Sequence, residues 1–396
     1  MPLEDLDIHV TGVEATVRDT VHRFAAQVLR PAGEALDKLS PEAVIDADSV
    51  LWSVLSQYRE LGLGRPDGDL SAEEQARLSY ITSEELGWGD AGLAIAMGVS
   101  GFPRMVALQS GNPELVDMVK DNLTGCWAIT EPDHGSDTLD FHGEVRHEGT
   151  SHGRPNVIAR AHGDDFVLSG QKSSWVSCGT IAQAAALFCS VDMGVSELQK
   201  AVFVVPLDVD GVSRGKPLDK IGQRALNQGE IFFDEVRIPR SFMAIPPEGY
   251  DAAAGLVLTN ANTGMGTLFA GLARAALELA IDYAKERKQG GVPIIQHQSV
   301  RSRLFEMFRK FEAARSLNRD VVLSNALNQP RLEYAIASKV TSTQTAFEVA
   351  SEALQIFGGN GTSREYPIEK IFRDARASMI EDGCNYVLGM LAGTRL

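Results

Sequence analysis

The chain changes its hydrophobic period twice, and few folds accept that. Up to about residue 122 the apolar residues recur at helical spacing: Val13, Val17, Val21, Phe24 and Val28 share one stripe closed by Pro31, and similar patterns fill 49–61 and 72–86. From about 123 to 240 short β-rich runs take over, at 126–130, 156–161, 166–169, 185–190, 201–206 and 230–238, separated by Gly, Asp and Ser. From about 241 the helical period returns. Helices and strands present their apolar faces at different spacings, so one continuous element cannot serve both. The expectation is α+β and multidomain: an N-terminal α-helical domain over 1–122, a middle β-barrel or sandwich over 123–240, and a C-terminal four-helix bundle over 241–396.

The third block carries four helical runs. Leu268, Leu272, Ala276, Leu279 and Tyr283 form a stripe that stops at Gly290-Gly291. Further helices are predicted from about 296 past 314, over 332–357, and over 368–382. The Thr259–Gly264 segment, with Asn262, precedes the stripe and carries no charge.

With 396 residues, the chain is long enough for two or three packed domains. A formal net charge of −16 argues against nucleic acid or an anionic membrane as the main partner. The four cysteines form no C-x-x-C pair, which suits reduced thiols in a cytoplasmic protein. No unbroken apolar run reaches about 18 residues, so no transmembrane helix is expected. The N-terminus MPLEDLDIHV lacks the form of a signal peptide.

Chemistry concentrates in 355–385, QIFGGNGTSREYPIEKIFRDARASMIEDGCN. Gly358-Gly359 lets a backbone approach a ligand closely, and Pro367 restarts a helix. That helix is expected to end at Glu381-Asp382-Gly383. A carboxylate there is a candidate general base; the plain alternative is a helix C-cap with surface carboxylates. A second constellation, 126–137, reads as a strand running into a polar loop with Gly135 at its bend. A third is 170–177, GQKSSWVS, and a fourth is Glu286-Arg287-Lys288 with His297-Gln298. An arginine fork matches phosphate oxygens, although Arg287 taken alone reads better as a solvated helix charge. Asp90 is read as a helix N-cap. Five histidines from His134 to His162 lie on loop-like spacing without a cysteine pair, so no metal site is expected. No G-x-G-x-x-G follows a predicted strand, which leaves a Rossmann nicotinamide site unsupported.

The 355–385 stretch resembles the C-terminal signature of the acyl-CoA dehydrogenase family, with Gln355, Gly358, Gly359, Gly361, Glu365, Pro367, Arg373, Asp374 and Ala375 in place. The family's glutamate base, directly before the glycine, is Asp382 here. The 126–137 run resembles the family's first signature, and 170–177 its aromatic-hydroxyl motif. The resemblance implies an FAD flavoprotein that dehydrogenates an acyl-CoA thioester between its α and β carbons. Asp382, or alternatively Glu381, would be the base. The implied cofactor residues are Trp127, Ile129, Thr130, Trp175, Ser177, Arg287, Gln298, Gln355, Gly358, Gly359, Cys384 and Tyr386, with Ser177 donating to flavin N5. Arg287 and Gln298 would reach FAD across a subunit interface. Ser136, Asn262 and Gly383 would line the substrate site. A homotetramer and an electron-transfer flavoprotein as acceptor are also implied. Two other readings stay open: a related flavin oxidase of a small acidic C–H compound, and a catalytically altered subunit of the same fold. Gln223-Arg224 and 231–239 match the family's exit strand and read as structural.

Overall fold

The N-terminal stripe folds as predicted, with one exception at its proline. In the computed structural model, which describes residues 10–63, 69–120, 122–140, 143, 155–195 and 197–396, helix α1 spans Gly12–Phe24. Thr11 and Glu14 start it by capping each other's backbone N–H. Pro31 does not end the helix. The turn over Ala25–Leu29 widens to π-helical hydrogen bonding, which absorbs the proline, and α2 continues over Arg30–Leu36. Short α3 (Pro41–Val44) and α4 (Val50–Glu60) lead to α5 (Ala72–Gly89) and α6 (Ala91–Ser100). Asp90 separates α5 from α6 and caps α6 as expected, its Oδ1 accepting the Leu93 N–H at 2.9 Å. Then come α7 (Phe102–Ser110) and α8 (Pro113–Met118).

The strands are β1 (Gly125–Ala128), β2 (Ile158–His162), β3 (Asp165–Lys172), β4 (Ala184–Asp192), β5 (Gln199–Pro206), β6 (Val212–Arg214), β7 (Ile231–Pro239) and β8 (Met243–Ile245). The three-residue β6 and β8 are too short for periodicity to reveal. The sheet order is β6-β7-β3-β2-β4-β5-β8, with β1 also on β4. Both β1 and β2 run parallel to β4 and share one edge of it: β1 pairs with Ala184–Leu187 and β2 with Ser190–Asp192. Among the described residues, the next strand on β4 after β1, which ends at Ala128, begins at Ile158. The 126–137 signature emerges from that break.

Helix α9 runs Pro247–Glu286, 40 residues. It begins well before the stripe seen in the sequence, so Thr259–Gly264 lies inside it. A two-stranded turn, β9 (Lys288–Gln289) with β10 (Val292–Pro293), leads to α10 (Gln298–Leu327) and α11 (Leu332–Phe357). Helix α12 stops at Ser378, four residues short of the expected end, and a further helix, α13 (Asn385–Gly393), follows. Asp382 (φ +50°) and Gly383 (φ +100°) turn the chain between them, a conformation no helix continues through.

The bundle draws its fourth long helix, α5, from the N-terminal block; α5 packs on both α9 and α10. Backbones touch where α5 crosses α9: a Cβ on Gly87 would stand 2.0 Å from the Leu268 carbonyl oxygen, and one on Gly271 2.0 Å from that of Glu84. A buried charge network pins the same crossing. Arg274 donates to Glu84 (2.7 Å) and Glu85 (2.5 Å), Arg315 donates to Glu84 (3.0 Å), and His22 of α1 lies 2.7 Å from Glu85. Averaged over 18 residues, Ala91–Ser110 and Pro247–Glu286 are apolar enough to cross a bilayer, a test that unbroken runs do not pass; 56% and 78% of those windows are buried inside the protein.

Candidate active site

The signature residues fall into three groups. The first surrounds the β1–β2 break. Glu131, from the first signature, turns inward: its carboxylate accepts the N–H groups of Asn156 (2.5 Å) and Val157 (3.0 Å) and the Lys172 ammonium at 2.6 Å. Lys172, from GQKSSWVS, also donates to the Ile129 and Phe188 carbonyls. These two side chains supply the hydrogen bonds that the broken strand does not, which explains why the two sequence signatures occur together.

Above that plug, the Ser173 N–H donates to the Thr130 carbonyl at 2.9 Å, bringing Thr130 beside the Trp175–Ser177 turn. The Trp175 indole is 58% exposed. Ser177 Oγ accepts from Gln228 Nε2 at 3.1 Å. The amide orientation is fixed because Gln228 Oε1 accepts from Lys220 Nζ at 2.8 Å and its Nε2 also reaches the Trp175 carbonyl. With Gln228 as donor, the Ser177 O–H is free to donate outward.

The 381–386 turn meets this region. The Cys384 N–H donates to Ser136 Oγ at 3.0 Å, joining the first signature to the last. Glu381 accepts from Gln223 Nε2 at 2.5 Å. Burial raises its pKa to about 7 and Asp382 adds to the rise, while the Gln223 bond, Lys220 and Lys339 oppose it. Burial also raises Asp382, which Lys339 counters. Asp382 accepts no side-chain hydrogen bond among the described residues. Beneath the turn, the fully buried Lys339 of α11 donates to the Gly383 carbonyl and to Asn385 Oδ1, both at 2.8 Å. A Cβ on Gly383 would lie 2.7 Å from Leu139, so only glycine fits there. Tyr386 is 85% exposed.

The second group sits at the far end of the bundle. Tyr283, one turn before Arg287, stacks on Phe357 at 4.0 Å and donates to its carbonyl, bringing Arg287 close to Gly358-Gly359. Arg287, Gln298, Gln355, Gly358 and Gly359 are all exposed, and a Cβ on either glycine would meet nothing within 4 Å. Among the described residues no hydrogen bond, ion pair or ring contact joins this group directly to Trp175 or Ser177.

The third group faces inward. Trp127 stacks on Phe102 at 5.2 Å, and Ile129 and Asn262 are buried. Asn262 donates to the Leu258 carbonyl of its own helix, while its Oδ1 and the Trp127 Nε1 are buried without a hydrogen-bond partner.

The sequence reading missed Lys220, Gln223, Gln228 and Lys339. In the sequence Gln223 adjoins a matched arginine and reads as structural; its positive φ (49°) and its bond to Glu381 arise only from the tertiary fold. Arg373 and Asp374 are structural: Arg373 grips Asp37 and Glu369, and Asp374 holds Lys370 and the Gln223 N–H. His142, His147 and His152 lie outside the described residues. No group of His, Cys, Asp or Glu able to hold a metal occurs among the described residues.

Two family profiles match this chain: "Acyl-CoA dehydrogenase, middle domain" over residues 126–236 and "Acyl-CoA dehydrogenase, C-terminal domain" over 248–396. The chain belongs to the acyl-CoA dehydrogenase family. It is an oxidoreductase of the acyl-CoA dehydrogenase type. The short-chain specific acyl-CoA dehydrogenase of Sus scrofa mitochondria is 29% identical over 384 residues, covering 94% of this chain and 87% of the relative. The butyryl-CoA dehydrogenase structure from Megasphaera elsdenii superposes with a TM-score of 0.83 at 26% identity, covering 98% and 99% of the two chains. Glutaryl-CoA dehydrogenase from Mycobacterium smegmatis gives 0.84 at 25% identity, covering 98% and 96%. The dehydrogenase fold thus spans the chain from end to end, α–β–α as the hydrophobic periods imply.

Proposed function

We propose that this dehydrogenase uses FAD to introduce a double bond between the α and β carbons of an acyl-CoA thioester, with Asp382 as the base. The carrying observation is that the 220–228 segment bonds both Ser177, through Gln228, and Glu381 beside Asp382, through Gln223, while Cys384 of the same turn donates to Ser136. FAD, when bound, would supply an acceptor for the β-hydrogen as hydride, and the Asp382 carboxylate would take the α-proton. An α-proton of a thioester is weakly acidic, so a desolvated carboxylate is the fitting acceptor. Of the two acids, Glu381 is held by Gln223, whereas among the described residues no side-chain hydrogen bond reaches the Asp382 carboxylate, which favours Asp382. Aspartate also suits a left-handed backbone better than most longer side chains do.

The residues fit the cofactor. The exposed Trp175 indole offers a stacking face, Ser177 an outward donor, and Gly358-Gly359 an open approach beside Arg287. Thr130, Trp175 and Ser177 would hold the ring. Arg287, Gln298, Gln355, Gly358 and Gly359 would hold the dinucleotide tail of a second copy's FAD, a reading supported by the lack of any hydrogen bond, ion pair or ring contact between the two groups among the described residues. That supports a homo-oligomer, with a tetramer as the proposed form. A cytoplasmic location and an electron-transfer flavoprotein as acceptor complete the proposal.

Anaerobic titration with straight, branched and aromatic acyl-CoAs tests it. Loss of the oxidised-flavin absorbance with at least one is expected. Silence from all of them, in protein that dithionite still bleaches, would exclude the reaction and favour the flavin oxidase reading.

A further inference from the structure

The 220–228 segment does more than support the sheet. Lys220 Nζ donates to the Leu226 carbonyl at 2.7 Å and to Gln228 Oε1 at 2.8 Å; Gln228, only 7% exposed, passes its own N–H to Ser177 Oγ at 3.1 Å. A backbone bridge between Ser177 and Gln228 holds the pair in register. The charged group thus stands at the head of a chain of hydrogen bonds whose last member is the Ser177 hydroxyl. An ammonium at the head of such a chain polarises each bond after it in the same direction, and the last O–H becomes a stronger donor. The acidic groups that face Lys220 are Glu381 and Asp374, and Arg224 is the nearby cation. The same lysine therefore looks toward the carboxylate side of the site as well as the hydroxyl side.

We propose that Lys220 and Gln228 are positioning residues that set Ser177 as a hydrogen-bond donor to the flavin and stabilise the negative charge the ring gains on reduction. Neither side chain needs to touch the cofactor. Lys220 favours the reduced, anionic form through its charge, and Gln228 fixes which way the Ser177 proton points. The proposal rests on the FAD reading above. It concerns electron affinity, so it separates from residues that only hold the fold.

The test is the midpoint potential of bound FAD, measured by slow reduction with xanthine and xanthine oxidase beside a reference dye. In Lys220→Met the potential is expected to move to a more negative value with FAD content retained, and Lys220→Arg is expected to recover most of it. Gln228→Leu is expected to move it in the same direction and to shift the visible spectrum of oxidised FAD. An unchanged potential in FAD-loaded Lys220→Met overturns the proposal. Should Lys220→Met fail to fold, Gln228→Leu decides: an unchanged potential and spectrum overturn it. Wild-type protein that neither purifies with FAD nor takes it up overturns the cofactor reading itself, an outcome seen before any variant is made.

Discussion

Lys172 Nζ lies 2.6 Å from Glu131 Oε1, and both side chains are wholly excluded from solvent. Burial depresses the lysine's pKa while Glu131 pulls it back. Two residues from separate sequence signatures thus close one break in the sheet. Replacing one member strands the other's charge, so Lys172→Met is expected to destabilise the protein by about 3–5 kcal/mol. Urea denaturation checks this. A change under about 1 kcal/mol, the range of a solvated pair, would show that the plug does not bear on stability.

Asp382→Asn keeps a short polar side chain at a left-handed position and removes the charge. Flavin reduction by a responsive acyl-CoA is expected to slow by about 10²–10⁴, the usual worth of a general base. Stopped-flow absorbance measures it, with FAD content as the control. Undiminished reduction would move the base to Glu381, and Glu381→Gln is the variant to compare.

Lys339→Met removes the bonds to the Gly383 carbonyl and Asn385 beneath the turn. The expected cost is about 1–3 kcal/mol for a carbonyl left unpaired. A larger fall in kcat than in FAD affinity is also expected, because the turn carries Asp382. Equal losses in both would mark Lys339 as a general stabiliser.

Glu381 gives a pH signature. Its folded pKa is raised from 4.5 to about 7, so the folded state holds the proton more tightly than the unfolded chain does. The contribution is full below about 4.5 and is lost as pH rises through about 7. Glu381→Gln lacks that slope, so its stability relative to wild type should climb between pH 5 and pH 8. Thermal melts across that range read it; parallel curves would show that the carboxylate titrates normally.

Gly87→Ala puts a methyl group 2.0 Å from the Leu268 carbonyl oxygen. Forced separation of α5 and α9 is expected to cost about 1–3 kcal/mol. Circular dichroism melts measure the loss, and a wild-type melting temperature would mean that the helices part freely.

Long elements were legible because their periodicity has room to repeat. Helix α11 matches its sequence range residue for residue, whereas β6 and β8, at three residues each, show no period. The helix end is placed too late by the sequence because Met379 and Glu381 are good helix formers, and the chain turns only where tertiary contacts hold Asp382 at positive φ. Motif residues were legible as a set but not by role. Glu131, Arg373 and Asp374 lie in the matched signatures as Ser177 does, yet burial and hydrogen bonding give them to the scaffold. Gln228 and Lys220 gave no local signal, since a relay exists only once strands and loops are folded together.

Arg274 answers to carboxylates at two successive positions of α5, and that makes the helix pairing self-checking. A slip of α9 by one turn would carry its guanidinium about 5.4 Å along the axis. Glu84 and Glu85 would then sit in the interior with less countercharge, and the glycines that let the two backbones meet would no longer face each other. An apolar seam tolerates such a shift with modest loss, but this one does not. Each buried charge would lose its partner in a shifted register, so the network penalises the wrong pairings of the long helices.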